Sequence, residues 1–311
     1  MSASPRRART RTRLIAPALL RRMPLPSPDD DGDKDARGRV LVIGGSTQVP
    51  GAILLAGVAA LRAGAGKLQL ATTRKSAVAL GIAVPEALVV ALPATRAGEI
   101  GGTRSAAKLD ELVTSAHAVL LGPGMTDVRS THALLTAIIP RLDAEAILVL
   151  DAAGLLALRD DDGALASLGG RVVLTPHAGE MATLLGVDKA EVEADPETMA
   201  REAARRFGAT VALKGPESWI TDPGRTLYHY VGGSVGLATS GSGDTLAGIV
   251  AGVTARGAGA TLGAIWGVYL HGAAGRVLSR RIGRIGFLAR ELLDEIPGVM
   301  HGLSAGRKRR R

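Results

Sequence analysis

Val40-Leu41-Val42-Ile43-Gly44-Gly45-Ser46, followed by Pro50-Gly51-Ala52, decides the architecture of this chain. Four consecutive aliphatic residues are too few for a helix and show no polar face, the pattern of a strand buried on both sides. Two glycines stop it, and the uncharged run beyond predicts a helix from about Ala52 to Ala63, closed by Gly64 and Gly66. Leu41 to Leu61 carries no charge and is long enough to span a bilayer, but the turn residues in its middle argue for a strand, a loop and a helix instead.

The same unit recurs outward from there. Leu68 to Ala71 reads as the next strand. Val119-Leu120-Leu121 precedes Gly122-Pro123-Gly124, Ile147-Leu148-Val149-Leu150 precedes Asp151, Val172-Val173-Leu174 precedes Thr175-Pro176-His177, and Val211-Ala212-Leu213 precedes Lys214-Gly215. Helical periodicity falls between, at about 104–116, 130–141 and 196–207. Ser218 to Thr221 and Thr226 to Tyr230 flank Asp222-Pro223-Gly224-Arg225, so an edge hairpin is expected. Strands alternating with helices imply an α/β fold with a mostly parallel central sheet flanked by helices on both faces. Polar or glycine motifs follow nearly every strand at its C-terminal end, where open α/β sheets bind ligands. With no fixed repeat and no linker between 40 and 300, one domain over 37–303 is expected. Residues 1–36 read as a disordered extension and 304–311 as a basic tail, with a helix from about Phe287 to Met300 closing the domain.

Composition narrows the functions. Apolar residues make up 46% of the chain and aromatics only 2%, so the core must be built from aliphatic and small side chains. The net charge of +9 invites a nucleic-acid reading, yet twelve of the 38 basic residues lie in 1–28 and 307–311, which leaves the body slightly acidic against 29 carboxylates. Such a body is no footprint for DNA or RNA, and there are too few aromatics to stack bases. The absence of cysteine excludes disulfides, thiolate catalysis and cysteine-based metal sites. Leu14 to Leu20 is too short, and broken by Pro17, to be a secretory core. A cytoplasmic, membrane-free protein is expected.

Chemistry concentrates in Gly241-Ser242-Gly243-Asp244, which runs straight into a helical pattern at Leu246, Ile249, Val250 and Val253. Gly241, Ser242 and Gly243 would offer backbone N–H groups to an anion at the helix N-terminus. Asp244 would be either a helix cap or a base beside a phosphate cradle; the glycines favour the base, since a cap needs none. Lys214-Gly215 puts a cation beside a flexible turn. His177 and Glu180 would stack at i, i+3 if a helix begins there. Asp151, directly after four aliphatics, caps a turn or enters a site. No P-loop, dinucleotide fingerprint, nucleophile elbow or closed metal-ligand cluster is present.

Taken together these stretches resemble the ADP- or ATP-dependent NAD(P)H-hydrate dehydratases, a branch of the ribokinase-like three-layer α/β/α fold. The resemblance runs over roughly 38–303 and is carried by the motifs above together with Arg62-Ala63-Gly64-Ala65-Gly66 and Tyr269-Leu270-His271-Gly272-Ala273-Ala274-Gly275. It implies that Ala52, Gly124, His177 and Asp244 contact the hydrated nicotinamide nucleotide. It further implies that Lys214, Gly215, Pro216, Glu217, Ser218 and Gly243 contact the adenine nucleotide, and that Glu180 organises Mg²⁺ through water. Asp244 would deprotonate the C6 hydroxyl of NADHX or NADPHX for attack on ADP or ATP, with ADP favoured, and a homotetramer is implied. Val49 stands where the family usually has tyrosine, and Ala153 and Leu156 where it has acid and asparagine; Ser240 and Ser234 replace the common glycine and asparagine. The epimerase domain fused ahead in many relatives is not expected in residues 1–36. A kinase of the same fold acting on hydroxymethylpyrimidine or hydroxyethylthiazole would use the same base and cradle.

Overall fold

The computed structural model describes residues 11–26, 34, 37–224 and 226–308. In chain order its main elements are β1 (Arg11–Leu14), α1 (Pro17–Arg22), β2 (Arg39–Ile43), α2 (Gly51–Arg62), β3 (Lys67–Thr73), α3 (Arg74–Ala83), β4 (Ala87–Leu92), α4 (Gly102–Ser115), β5 (Ala118–Leu121), α5 (Val128–Ile138), β6 (Ile147–Leu150) and α6 (Ala153–Leu156). There follow β7 (Val172–Leu174), α7 (Ala178–Leu185), α8 (Lys189–Ala194), α9 (Pro196–Phe207), β8 (Thr210–Leu213), β9 (Ser218–Thr221), β10 (Thr226–Tyr230), α10 (Ser242–Ala255), α11 (Ala260–Arg281) and α12 (Ala289–Lys308). The strands form one sheet in the order β1-β10-β9-β8-β7-β6-β5-β2-β3-β4. It is parallel from β4 to β8, and the expected β9–β10 hairpin supplies the antiparallel pairs.

Strand periodicity explains why both faces are covered. Alternate residues of each strand enter different cores. Val40, Val42, Leu120, Val149, Val173 and Ala212 pack with α2, α10 and α11, while Leu41, Ile43, Val119, Leu148, Leu150 and Val211 pack with α4, α5, α7 and α9. The scarcity of aromatics shows in how closely the helices approach. A Cβ on Gly248 would collide with the Ala56 carbonyl, and one on Gly252 with that of Ala60. Thus α2 and α10 lie side by side in parallel register.

Residues 11–26 correct the expectation of disorder through residue 36. β1 pairs in parallel with β10, Arg11 opposite Thr226 and Leu14 opposite His229. Pro17 does not break this segment but starts α1 at its first position, where a missing N–H costs nothing. Ile15 and Leu20 are buried in the main core, the Trp266 indole donates to Met23 O at 2.8 Å, and Arg256 Nη2 donates to Pro26 O at 3.2 Å. The segment is a strap that covers the hairpin's free edge. At the other end α12 runs past Pro297 and continues to Lys308 rather than giving way to a tail at 304, anchored by the buried Leu303. Lys34 aside, the remaining residues expected to be disordered lie outside the described ones.

Because Leu20 is fully buried, Leu20→Ala should destabilise the fold by about 2–5 kcal/mol. Denaturant unfolding with an unchanged midpoint would mean the strap does not contribute to the core.

Candidate active site

Ladder hydrogen bonds carry three motif residues beyond the strand ends. Asp151 N donates to Leu121 O at 3.2 Å, Thr175 N to Leu150 O at 3.2 Å and Lys214 N to Pro176 O at 2.8 Å. Asp151 Oδ1 accepts the Thr175 hydroxyl at 2.7 Å and the Lys214 ammonium at 2.8 Å. Glu180 Oε2 stands 3.9 Å from the same ammonium. Burial works against the charge of Lys214, but the carboxylates of Asp151 and Glu180 outweigh it and hold its pKa above the usual lysine value.

The turn into α10 is made by Gly241, whose φ of 85° only glycine adopts without strain. The expected trio of anion-binding amides needs one correction: the Ser242 amide is turned back onto Thr239 O at 3.2 Å. Gly243 remains open, and Lys214 Nζ lies 3.4 Å from where its Cβ would stand. Asp244 follows in the first turn. Its pKa is pushed up to about 7, chiefly by burial and then by the negative charge of Asp151, with Lys214 pulling the other way. The site therefore sets a proton acceptor poised near neutrality beside a cation and an open amide.

Ala52, in the first turn of α2, and Gly124, in the turn after β5, come together. Gly124 has φ 70°, and a Cβ there would stand 2.8 Å from the Cβ of Ala52. Carried back one turn, the register that sets Gly248 on Ala56 brings Ala52 level with Asp244. Exposed Val49 leaves that rim without a ring. His177 and Glu180 do not simply share a face. His177 is the N-cap of α7, accepting at Nδ1 from Gly179 N (3.0 Å) and Glu180 N (3.3 Å), while Glu180 Oε2 accepts from His177 N at 2.8 Å. This is a reciprocal capping box that also aims Glu180 at Lys214.

The turn Lys214 to Ser218 separates two hollows. One, of ≈ 670 Å³, runs between this turn and the start of α10 and the middle of α11, lined by Pro216, Tyr230, Leu237, Gly243, Val268 and His271. The other, of ≈ 590 Å³, lies behind it against Val192, Pro196 and Trp219. Glu217 faces the second and is tied to His229 at 2.6 Å. Sequence reasoning did not find the sharing of one Asp151 oxygen by Thr175 and Lys214, nor a 2.9 Å bond between Ser242 Oγ and His271 Nε2. Strand order brings Asp151, Thr175 and Lys214 together, and the packing of α10 on α11 brings Ser242 to His271. Ala152, beside Asp151, has φ 48° and occupies the first corner of a tight turn closed by Gly154 N to Asp151 O at 2.9 Å. Such a backbone is costly for alanine and frequent at functional sites.

Residues 40–298 match the family model described as NAD(P)H-hydrate dehydratase. The chain belongs to the NAD(P)H-hydrate dehydratase family. It is 49% identical over 296 residues to the ADP-dependent (S)-NAD(P)H-hydrate dehydratase of Xanthomonas campestris pv. campestris, covering 95% of this chain and 99% of that one. It is 33% identical to the enzyme of the same name from Neisseria meningitidis serogroup B, over 83% of each. Among solved structures, the ADP/ATP-dependent NAD(P)H-hydrate dehydratase of Bacillus subtilis, co-crystallised with ATP and Mg²⁺, superposes with a TM-score of 0.79 at 26% identity, over 93% of this chain and 98% of that one. The architecture is thus the ribokinase-like one. No helix among the described residues is long and apolar enough to cross a membrane.

The raised pKa of Asp244 has a consequence for stability. The folded state keeps a proton that the unfolded chain releases near 3.8, so this group's contribution to stability falls as pH rises from there towards about 7. Asp244→Asn should therefore unfold at higher denaturant than the parent at about pH 8 and converge with it at about pH 4. A variant less stable than the parent at the higher pH would contradict the burial of this carboxylate's charge.

Proposed function

We propose that this chain repairs nicotinamide nucleotides by ADP-dependent dehydration of (6S)-NADHX and NADPHX. The observation that carries the reading is the placement of Asp244. A carboxylate with a pKa near neutrality stands in the first turn of a helix, next to an ammonium and an amide suited to a phosphate. A base whose pKa matches the working pH is well suited to general-base catalysis. Asp244 takes the proton of the C6 hydroxyl. That oxygen attacks the outer phosphorus of ADP, and the bond to the bridging oxygen breaks to leave AMP. The ring nitrogen's lone pair then expels the phosphate from C6, C5 loses its proton, and the dihydropyridine double bond returns. The products are NADH or NADPH, phosphate and AMP.

Roles follow from position. Lys214 and the Gly243 amide neutralise charge on the transferred group, and Gly215, Pro216, Glu217 and Ser218 shape the wall against the adenine nucleotide. His177, Gly124 and Ala52 border the hydrated ring. No group of three His, Asp or Glu gathers as a ready metal site among the described residues. The set fits Mg²⁺ brought in with phosphate, since magnesium commonly takes one or two carboxylates, water and substrate oxygens. Three carboxylates around one ammonium leave negative charge that an incoming phosphate must overcome, and Glu180 is placed to hold the ion. Mg²⁺ would supply charge neutralisation on the phosphates. We further read the enzyme as cytoplasmic and, by its family resemblance, as a homotetramer. The close match along nearly the whole length of an ADP-dependent dehydratase supports this reading over a kinase for thiamine-precursor alcohols.

Incubation with NADHX, Mg²⁺ and ADP should restore the NADH absorbance band, and Asp244→Ala should lose roughly 10²–10⁴ in turnover while still binding nucleotide. Silence of the parent with both ADP and ATP would defeat the dehydratase reading. Unchanged turnover of the variant would remove Asp244 from the chemistry.

A further inference from the structure

His271 lies on α11 and lines the ≈ 670 Å³ cleft; its Nε2 stands 2.9 Å from Ser242 Oγ, and the Ser242 backbone also favours the ring's proton. Burial, and then the nearby charge of Lys214, push its pKa down to about 4, so the ring is neutral under working conditions. A neutral imidazole has one N–H to place. Both of these partners of the ring, the hydroxyl and the backbone of Ser242, belong to one residue, and an N–H left unmade in the interior is the costlier omission, which puts the proton towards Ser242. On Nε2 it donates to Ser242 Oγ. The serine oxygen then accepts, and its own O–H, with no acceptor among the described residues, is free to point into the cleft that Ser242 lines.

The backbone beside it makes this arrangement useful. The Ser242 amide is spent on Thr239 O, so position 242 brings no backbone donor to the start of α10. A side-chain hydroxyl held outward would replace it next to the open amide of Gly243. We propose that His271 is a positioning residue, fixing the Ser242 hydroxyl as a hydrogen-bond donor to the outer phosphate of the bound nucleoside diphosphate. The inference rests on the reaction read above for its choice of nucleotide, but not on turnover for its test.

The test is calorimetric titration of the full chain with ADP and with AMP, which lacks the outer phosphate, in the presence of Mg²⁺. Ser242→Ala and His271→Ala should each weaken ADP binding by about tenfold to a hundredfold, the worth of a hydrogen bond to a charged group, and leave AMP binding in place. The double variant should be no weaker than either single one, because both remove the same bond. His271→Gln, whose side-chain amide can donate to the same oxygen, should recover part of the loss. Equal loss of ADP and AMP affinity in His271→Ala, or additive losses in the double variant, would overturn the proposal. Ser242→Ala removes too little to threaten folding, so unchanged ADP affinity in that variant overturns it whatever His271→Ala does. An ADP-selective loss in a protein that fails to dehydrate NADHX would sink the reaction and leave this role standing.

Discussion

One ammonium sits among three carboxylates. Lys214 is bonded to Asp151, faces Glu180, and moderates the charge of Asp244, and each of these residues stands where it does because a parallel strand or a helix start delivers it there. Without Lys214 the three acids would share a poorly solvated volume with nothing opposing them, a costly arrangement. The cluster is also what suits Asp244 to the role of base proposed above. Burial raises its proton affinity, Asp151 raises it further, and Lys214 stops the rise near neutrality. A carboxylate at its ordinary pKa would be too weak a base for a hydroxyl, and one raised much further would rarely be ionised.

That cluster depends on close packing elsewhere. α10 carries Asp244 to the strand ends only because Gly248 and Gly252 let it lie against the backbone of α2. The same contact sets Ala52 level with Asp244. The small-residue composition is thus part of the site's geometry, since larger side chains on either helix would lift the proposed base away from Lys214.

Much of this was legible in the residues. Short aliphatic runs ended by glycine or a polar residue marked the parallel strands, and Asp222-Pro223-Gly224 marked the hairpin. Asp244, Lys214, His177 and Glu180 could be named because each follows a strand or opens a helix. What stayed hidden had physical reasons. α11 is apolar on nearly every side, being wrapped by the sheet, α10 and α12, so it lacks the amphipathic period by which helices are read. The strap was obscured by its arginines, whose charged heads can face water while Ile15 and Leu20 point inward. The reversal of the Ser242 amide is a property of one turn's dihedral angles, which composition does not encode. The capping role of His177 appears only once the start of α7 is fixed.

The strap also sets an order of events. Arg11 to Leu14 pairs with Thr226 to His229, strands far apart along the chain. On a ribosome the strap therefore has no partner until the whole sheet between them has been made. The central parallel strands can assemble as they appear, but the sheet's last edge closes only when the hairpin arrives, so the strap settles long after it is made.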